Sequence, residues 1–86
     1  MSTDTLIEFP ADIAVKAMGL NTGDFETLIS TLVLPLIEPQ AASITILPSK
    51  EGKYLSVSVR FTATDLEQLH SVYAVLSAEA RVLYTL

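Results

Sequence analysis

The sequence predicts an α+β two-layer sandwich in the order strand, helix, strand, strand, helix, strand. Three observations predict it. Four segments alternate apolar and polar residues with the period of two that marks a half-buried strand. Two segments between them carry apolar stripes at helical spacing. A short polar connection, Pro48 to Gly52, joins the second and third strands directly, whereas a helix separates each other consecutive pair. That order is the split β-α-β arrangement of the ferredoxin-like fold. Right-handed crossovers then place both helices on one face of a four-stranded antiparallel sheet, with the first and third strands central.

The first strand is read over Ile13 to Met18, where Ile13, Val15 and Ala17 alternate with Ala14, Lys16 and Met18. Pro10 precedes it, where a missing N–H removes no ladder bond. Gly19 to Gly23 breaks the strand. The first helix follows from Asp24 to about Leu34, with Phe25, Leu28, Ile29, Leu32 and Val33 on one stripe. Asn21 or Thr22 is placed to cap it, and Asp24 and Glu26 suit its positive end. Pro35 is expected to kink or end it, and Pro39 to confirm the stop. Leu34, Leu36 and Ile37 leave an apolar excess there that needs cover.

The second strand is read over Ser43 to Leu47 and the third over Tyr54 to Phe61, with Gly52 free to adopt positive φ in the connection. Thr64-Asp65-Leu66-Glu67 reads as a capping box, Thr64 and Glu67 serving each other's N–H groups. The second helix presents Leu66, Leu69, Tyr73 and Leu76, with Val72 at the margin. Arg81 to Leu86 closes the chain as a strand, Val82, Tyr84 and Leu86 alternating with Arg81, Leu83 and Thr85.

In this arrangement Leu55, Val57, Val59 and Phe61 join Ile13, Val15 and Ala17 under the helices. The opposite, open sheet face carries Lys16, Met18, Tyr54, Ser56, Ser58 and Arg60, with Leu83 and Leu47 at its margins. It is neither a second core nor a fully solvated face. Two readings stand: a wet face with snorkelling Lys16 and Arg60, or a docking surface for a partner or second subunit.

Composition narrows the function classes. The 86 residues, 9.3 kDa, make one domain, 1–86, with residues 1–8 a flexible N-terminus. Half of them are apolar and 17% charged, which argues against a disordered chain. A net charge of −5 and a pI near 4.5 disfavour nucleic acid and anionic membrane as partners. With no cysteine and one histidine, disulfides, iron–sulfur clusters, thiol nucleophiles and the usual zinc sets are excluded, and neither metal nor cofactor is expected. The absence of a leader pattern or a long apolar run points to the cytoplasm.

Three blocks carry a resemblance: Phe9-Pro10 with Lys16-Ala17-Met18-Gly19, then Pro48 to Val59, then Ala63-Thr64 with Glu67-Gln68 and Tyr73. From Phe9 to Leu86 the chain resembles the YbeD-like family of small acidic bacterial proteins whose function is not established. The resemblance implies a ferredoxin-like fold related to ACT regulatory domains, and a loose association with lipoate metabolism through gene neighbourhood. ACT domains often bind an amino acid where the first strand meets the first helix. The corresponding candidate loop here is Gly19, Asn21, Thr22, Gly23 and Asp24, which lacks the usual proline. It reads either as a plain strand-to-helix turn or as a carboxylate site at the helix start.

Other activities of this topology fit poorly. An RNA-recognition surface needs aromatic residues and positive charge where this chain offers Tyr54, Ser56, Ser58 and Arg60. Acylphosphatase chemistry needs an arginine at the loop after the first strand, and both Arg60 and Arg81 are read on strands. His70 has no visible Ser or Asp constellation, so no catalytic residue is assigned. Lys16 and Arg60 can hold one anion together or pair with carboxylates. The expected function is a non-enzymatic regulatory or adaptor domain that binds a protein or forms a homodimer. The alternative is an ACT-like sensor of an amino acid or another carboxylic acid.

Overall fold

The computed structural model describes residues 8–86; most of the expected flexible N-terminus, residues 1–7, lies outside them. The elements are β1 (Ala11–Leu20), α1 (Phe25–Ile37), β2 (Ser43–Pro48), β3 (Tyr54–Ala63), α2 (Leu66–Ala78) and β4 (Tyr84–Thr85). They form one antiparallel sheet in the order β2-β3-β1-β4. This is the ferredoxin-like order, with β1 and β3 central.

Period two decides the faces. Ile13, Val15 and Ala17 pair with Phe61, Val59 and Val57, so the odd-numbered residues of both central strands share one side. That side meets Phe25, Ile29, Val33 and Ile37 of α1 and Leu69, Val72 and Leu76 of α2 in a single core. Both helices therefore cover one face and leave the other open.

β1 runs further than its alternation suggests, through Gly19 and Leu20, which pair with Leu55 and Tyr54. Gly19 does not break the strand, because its missing side chain is what lets the Phe25 ring lie against the sheet. The turn begins at Asn21, whose N–H donates to the Lys53 carbonyl at 2.8 Å. Gly23 and Gly52 take the positive-φ positions.

α1 does not end at Pro35. It continues to Ile37, and the Glu38 N–H still donates to the Leu34 carbonyl at 3.1 Å. Pro35 lies on the exposed side, while Ile29, Val33 and Ile37 at i, i+4 and i+8 stay in the core. Burying Ile37 outweighs the one hydrogen bond a proline removes. The apolar excess expected at Leu34, Leu36 and Ile37 is thus covered within the chain: Ile37 is buried, and Leu34 and Leu36 pack against the core. At the other end the N-cap is Asp24, not Asn21 or Thr22, and its side chain does not cap. Past the helix, the Gln40 amide extends the edge of β3, donating to the Thr62 carbonyl and accepting from its N–H.

The capping box of α2 sits one residue later than its sequence motif suggests. Asp65 Oδ1 accepts from the Gln68 N–H at 2.8 Å, and Gln68 Oε1 accepts from the Thr64 N–H at 2.8 Å. The Gln68 amide also donates to the Leu36 carbonyl, tying the start of α2 to the end of α1. This register centres Val72 in the core and leaves Leu66 exposed and Tyr73 half-buried. Residues 81–83, expected in the last strand, instead form its approach: the Val82 N–H turns back to the Glu79 carbonyl. β4 therefore pairs Tyr84 with Met18, and Leu86 exchanges both main-chain bonds with Lys16. Tyr84 and Leu86 face the open side, reversing the alternation read from the sequence.

Candidate functional site

The open sheet face is built from the even-numbered residues of the central strands. Lys16, Met18, Tyr54, Ser56, Ser58 and Arg60 share it, since Lys16 pairs with Ser58, Met18 with Ser56, Leu20 with Tyr54 and Ala14 with Arg60. The face has two halves. At one end Asp12 and Arg60 form an exposed ion pair at 3.2 Å. Such a pair contributes little to stability, but it leaves neither charge free. Toward the β2–β3 hairpin, Leu47, Ser56, Met18 and Tyr84 form one transverse row. Thr45, Ser58, Lys16 and Leu86 form the next. Ser56 and Ser58 are short and give this half a low floor, and Ser56 is buried although it faces outward. Leu47 and Leu86 on either side remain 67% and 66% exposed.

The loop between β1 and α1 is a second locus. Gly19 lies beneath the Phe25 ring. The Asn21 side-chain amide donates to the Gly52 carbonyl, anchoring the loop to the hairpin. Thr22 donates to Asp24 Oδ1 at 2.6 Å. Arg81, read from the sequence as a strand residue, lies instead in the approach to β4 and reaches this loop. Its guanidinium donates to both Asp24 oxygens, at 2.6 and 3.3 Å, and to the Thr22 hydroxyl. An arginine thus stands beside this loop, where the expected strand placement of Arg60 and Arg81 left none. The group is nevertheless a carboxylate-paired cation, not a free electrophile. Gly23 has open space beside it.

A family model described as "Protein of unknown function (DUF493)" matches residues 4–86. The chain belongs to this family, the YbeD-like proteins. A UPF0250 protein of Janthinobacterium sp. (strain Marseille) is 40% identical over 85 residues, covering 98% of this chain and 93% of the relative. One from Bordetella parapertussis (strain 12822) is 35% identical over 82 residues, covering 92% and 88%. One from Neisseria meningitidis serogroup C is 34% identical over 79 residues, covering 91% and 87%.

In this YbeD-like domain the loop has a titration signature. Hydrogen bonds from Arg81 and then Thr22 pull the Asp24 carboxyl from 3.8 down to about 2. Because the folded value lies below the unfolded one, the pairing stabilises fully above pH 4 and is lost as the pH falls toward 2. Both groups are exposed, so the effect on overall stability is small. Arg81→Gln is expected to return the Asp24 midpoint toward 3.8, read from its carboxyl carbon by NMR; an unmoved midpoint rejects the pairing.

His70 is exposed on α2. No group of three or more His, Cys, Asp or Glu among the described residues is arranged to hold a metal ion. No described helix is long and apolar enough to cross a membrane. A hollow of about 350 Å³ lies on the outer side of α1 around Thr31 and Pro35, open to solvent and lined by α1 and Glu38 alone. Leu20, Tyr84 and Leu86 join the open face without having been read there. Leu20 has the same parity as Met18, so carrying the strand through Gly19 would have found it. Tyr84 and Arg81 leave no local signal, because pairing and a turn distant in sequence place them.

Proposed function

We propose that this domain is a non-enzymatic regulatory or adaptor protein of the bacterial cytoplasm. It binds a protein through the hairpin half of its open sheet face. The observation that carries this reading is where the uncovered apolar side chains collect. Four of the seven exposed large hydrophobics among the described residues, Leu20, Leu47, Tyr84 and Leu86, lie on that half, around Met18 and the serine floor. Scattered surface leucines need no explanation, but a contiguous group rimmed by polar residues marks an interaction site. The link to lipoate metabolism enters through family context and stays part of the proposal.

Affinity capture from the native cell with wild-type and Leu47→Asp baits tests the reading. Leu47 is exposed on the edge strand, so the variant is expected to keep its melting temperature and lose the proteins the wild type retains. Identical capture by both baits sinks the proposal. A second reading, a sensor of small carboxylic acids at Asn21 to Asp24, is favoured by the convergence of Arg81 on a helix start with no side-chain cap. It ranks lower because Asp24 already pairs Arg81 and Phe25 covers Gly19. A flat thermal-shift screen with amino acids and lipoate rejects it.

A further inference from the structure

The chemistry of the partner can be read from how charge is divided between the two layers. The chain has five lysines and arginines against ten acids. Arg60 and Arg81 are each held by an aspartate. The other three cations are Lys16 and Lys53, which border the apolar half of the open face, and Lys50. Lys16 stands in the row next to Met18. The Lys53 ammonium lies over the Tyr54 ring, 5.5 Å from its centre. Lys50 is in the hairpin after Leu47 and Pro48, beside Glu51, which offsets one of the two hairpin charges. On the strands of this face the one acidic side chain among the described residues is Asp12, and Arg60 neutralises it. The Leu86 main-chain oxygen at the edge accepts from the Lys16 N–H and the Tyr73 hydroxyl.

The helical layer is the reverse. Glu26 and Glu67 lie in first turns, Asp65 caps α2, and Glu38 and Glu79 occupy the C-caps, where negative charge opposes the helix dipole. Neither helix contains a lysine or arginine. Among the described residues, Lys16 and Lys53, which pair with no carboxylate, thus stand beside the exposed apolar surface, while five of the ten acids lie in the helical layer.

We infer that the open face receives an acidic protein segment with apolar side chains, the apolar groups lying over the serine floor and the carboxylates meeting Lys16 and Lys53. The inference rests on the docking reading above and adds the sign of the partner's charge. A second copy is a poorer occupant, since two such faces brought together set lysines against lysines. The lysines stand at the rim, so they act chiefly on encounter rate and salt dependence, while the apolar rows supply the buried area.

The test titrates the ¹⁵N-labelled full chain with two synthetic peptides of identical alternating leucine and valine content, one with glutamate and one with lysine between them. The glutamate peptide is expected to shift the Met18, Ser56 and Ser58 amides to saturation, roughly tenfold or more tighter than the lysine peptide, and to weaken as salt rises. Lys16→Glu is expected to abolish that preference, and Lys16→Gln, a milder change, to reduce it. Equal or tighter binding of the lysine peptide on this face overturns the acidic assignment but leaves the docking reading standing. No shift on the face from either peptide also overturns the assignment, and unchanged capture by Leu47→Asp then overturns the docking reading with it. A dimer in light scattering that Leu47→Asp dissociates gives the face to a second copy and overturns the inference.

Discussion

Gly19→Ala is expected to destabilise this domain by about 3 kcal/mol, near the top of the range for overpacking. A Cβ at this position would lie 2.5 Å from the Arg81 carbonyl oxygen and 2.5 to 2.6 Å from two atoms of the Phe25 ring. Neither neighbour yields easily. The oxygen is main chain, and Phe25 is wholly buried at the start of α1. Gly19 is thus the contact point of three segments: the end of β1, the first turn of α1 and the connection into β4. For a chain of this length the loss corresponds to a fall of roughly 12–24 °C in melting temperature. Gly23→Ala is the matched control. Gly23 has φ +89° but nothing within 4 Å, so it loses only the left-handed backbone preference, about 1 kcal/mol. Equal melting temperatures for the two variants would show that the Phe25 ring does not lie where the structure puts it.

Ile37→Ala is expected to cost about 3 kcal/mol, within the range for truncating a buried isoleucine. Chemical denaturation should show a lower midpoint with an unchanged slope. The prediction discriminates sharply because the site follows a proline. If α1 ended at Pro35, Ile37 would sit in an exposed connection and its truncation would change stability by about 0.5 kcal/mol or less. The structure instead leaves Ile37 1% exposed, four residues beyond Val33 on the same stripe, so the cavity left by truncation would be lined by the core. A loss below about 1 kcal/mol would reject the continuation of α1 through Pro35.

These two residues show where local signals stop being sufficient. Proline and glycine are strong punctuation marks because they change the backbone, so the sequence alone predicts a kink or an end at Pro35 and a break at Gly19. Pro35 is tolerated because it lies on the solvent side, where the carbonyl it leaves without a helical partner can meet water. Gly19 is required because a ring from the next element occupies its side-chain position. The capping box shows a milder form of the same effect. Its residue types were legible, but the packing of Leu69, Val72 and Leu76 set the register, so Asp65 and Gln68 take the parts read for Thr64 and Glu67.

The open face was legible where it belongs to the central strands. Lys16, Met18, Tyr54, Ser56, Ser58 and Arg60 share a side because alternation is a property of the extended backbone itself, and both central strands pair over ten residues without interruption. The carboxylate pairing expected as one fate of Arg60 is also found, with Asp12. The edges were not legible. Two paired residues carry too little alternation to fix a phase, and β4 takes its phase from the Leu86–Lys16 bonds.

By itself, then, the sequence determined the order of the six elements, the inward residues of the two central strands and the family. All of these follow from local periodicity or from runs of residue types. The tertiary structure decided how far each element runs, which side of β4 faces out, and that Arg81 reaches Asp24 across 57 positions of chain. It also decided which large apolar side chains stay uncovered: Ile37 goes into the core while Leu20, Leu47 and Leu86 remain on the open face. The reason is physical. A side chain's direction along a strand is set by its own backbone, but whether anything covers it depends on segments that only the folded chain brings together.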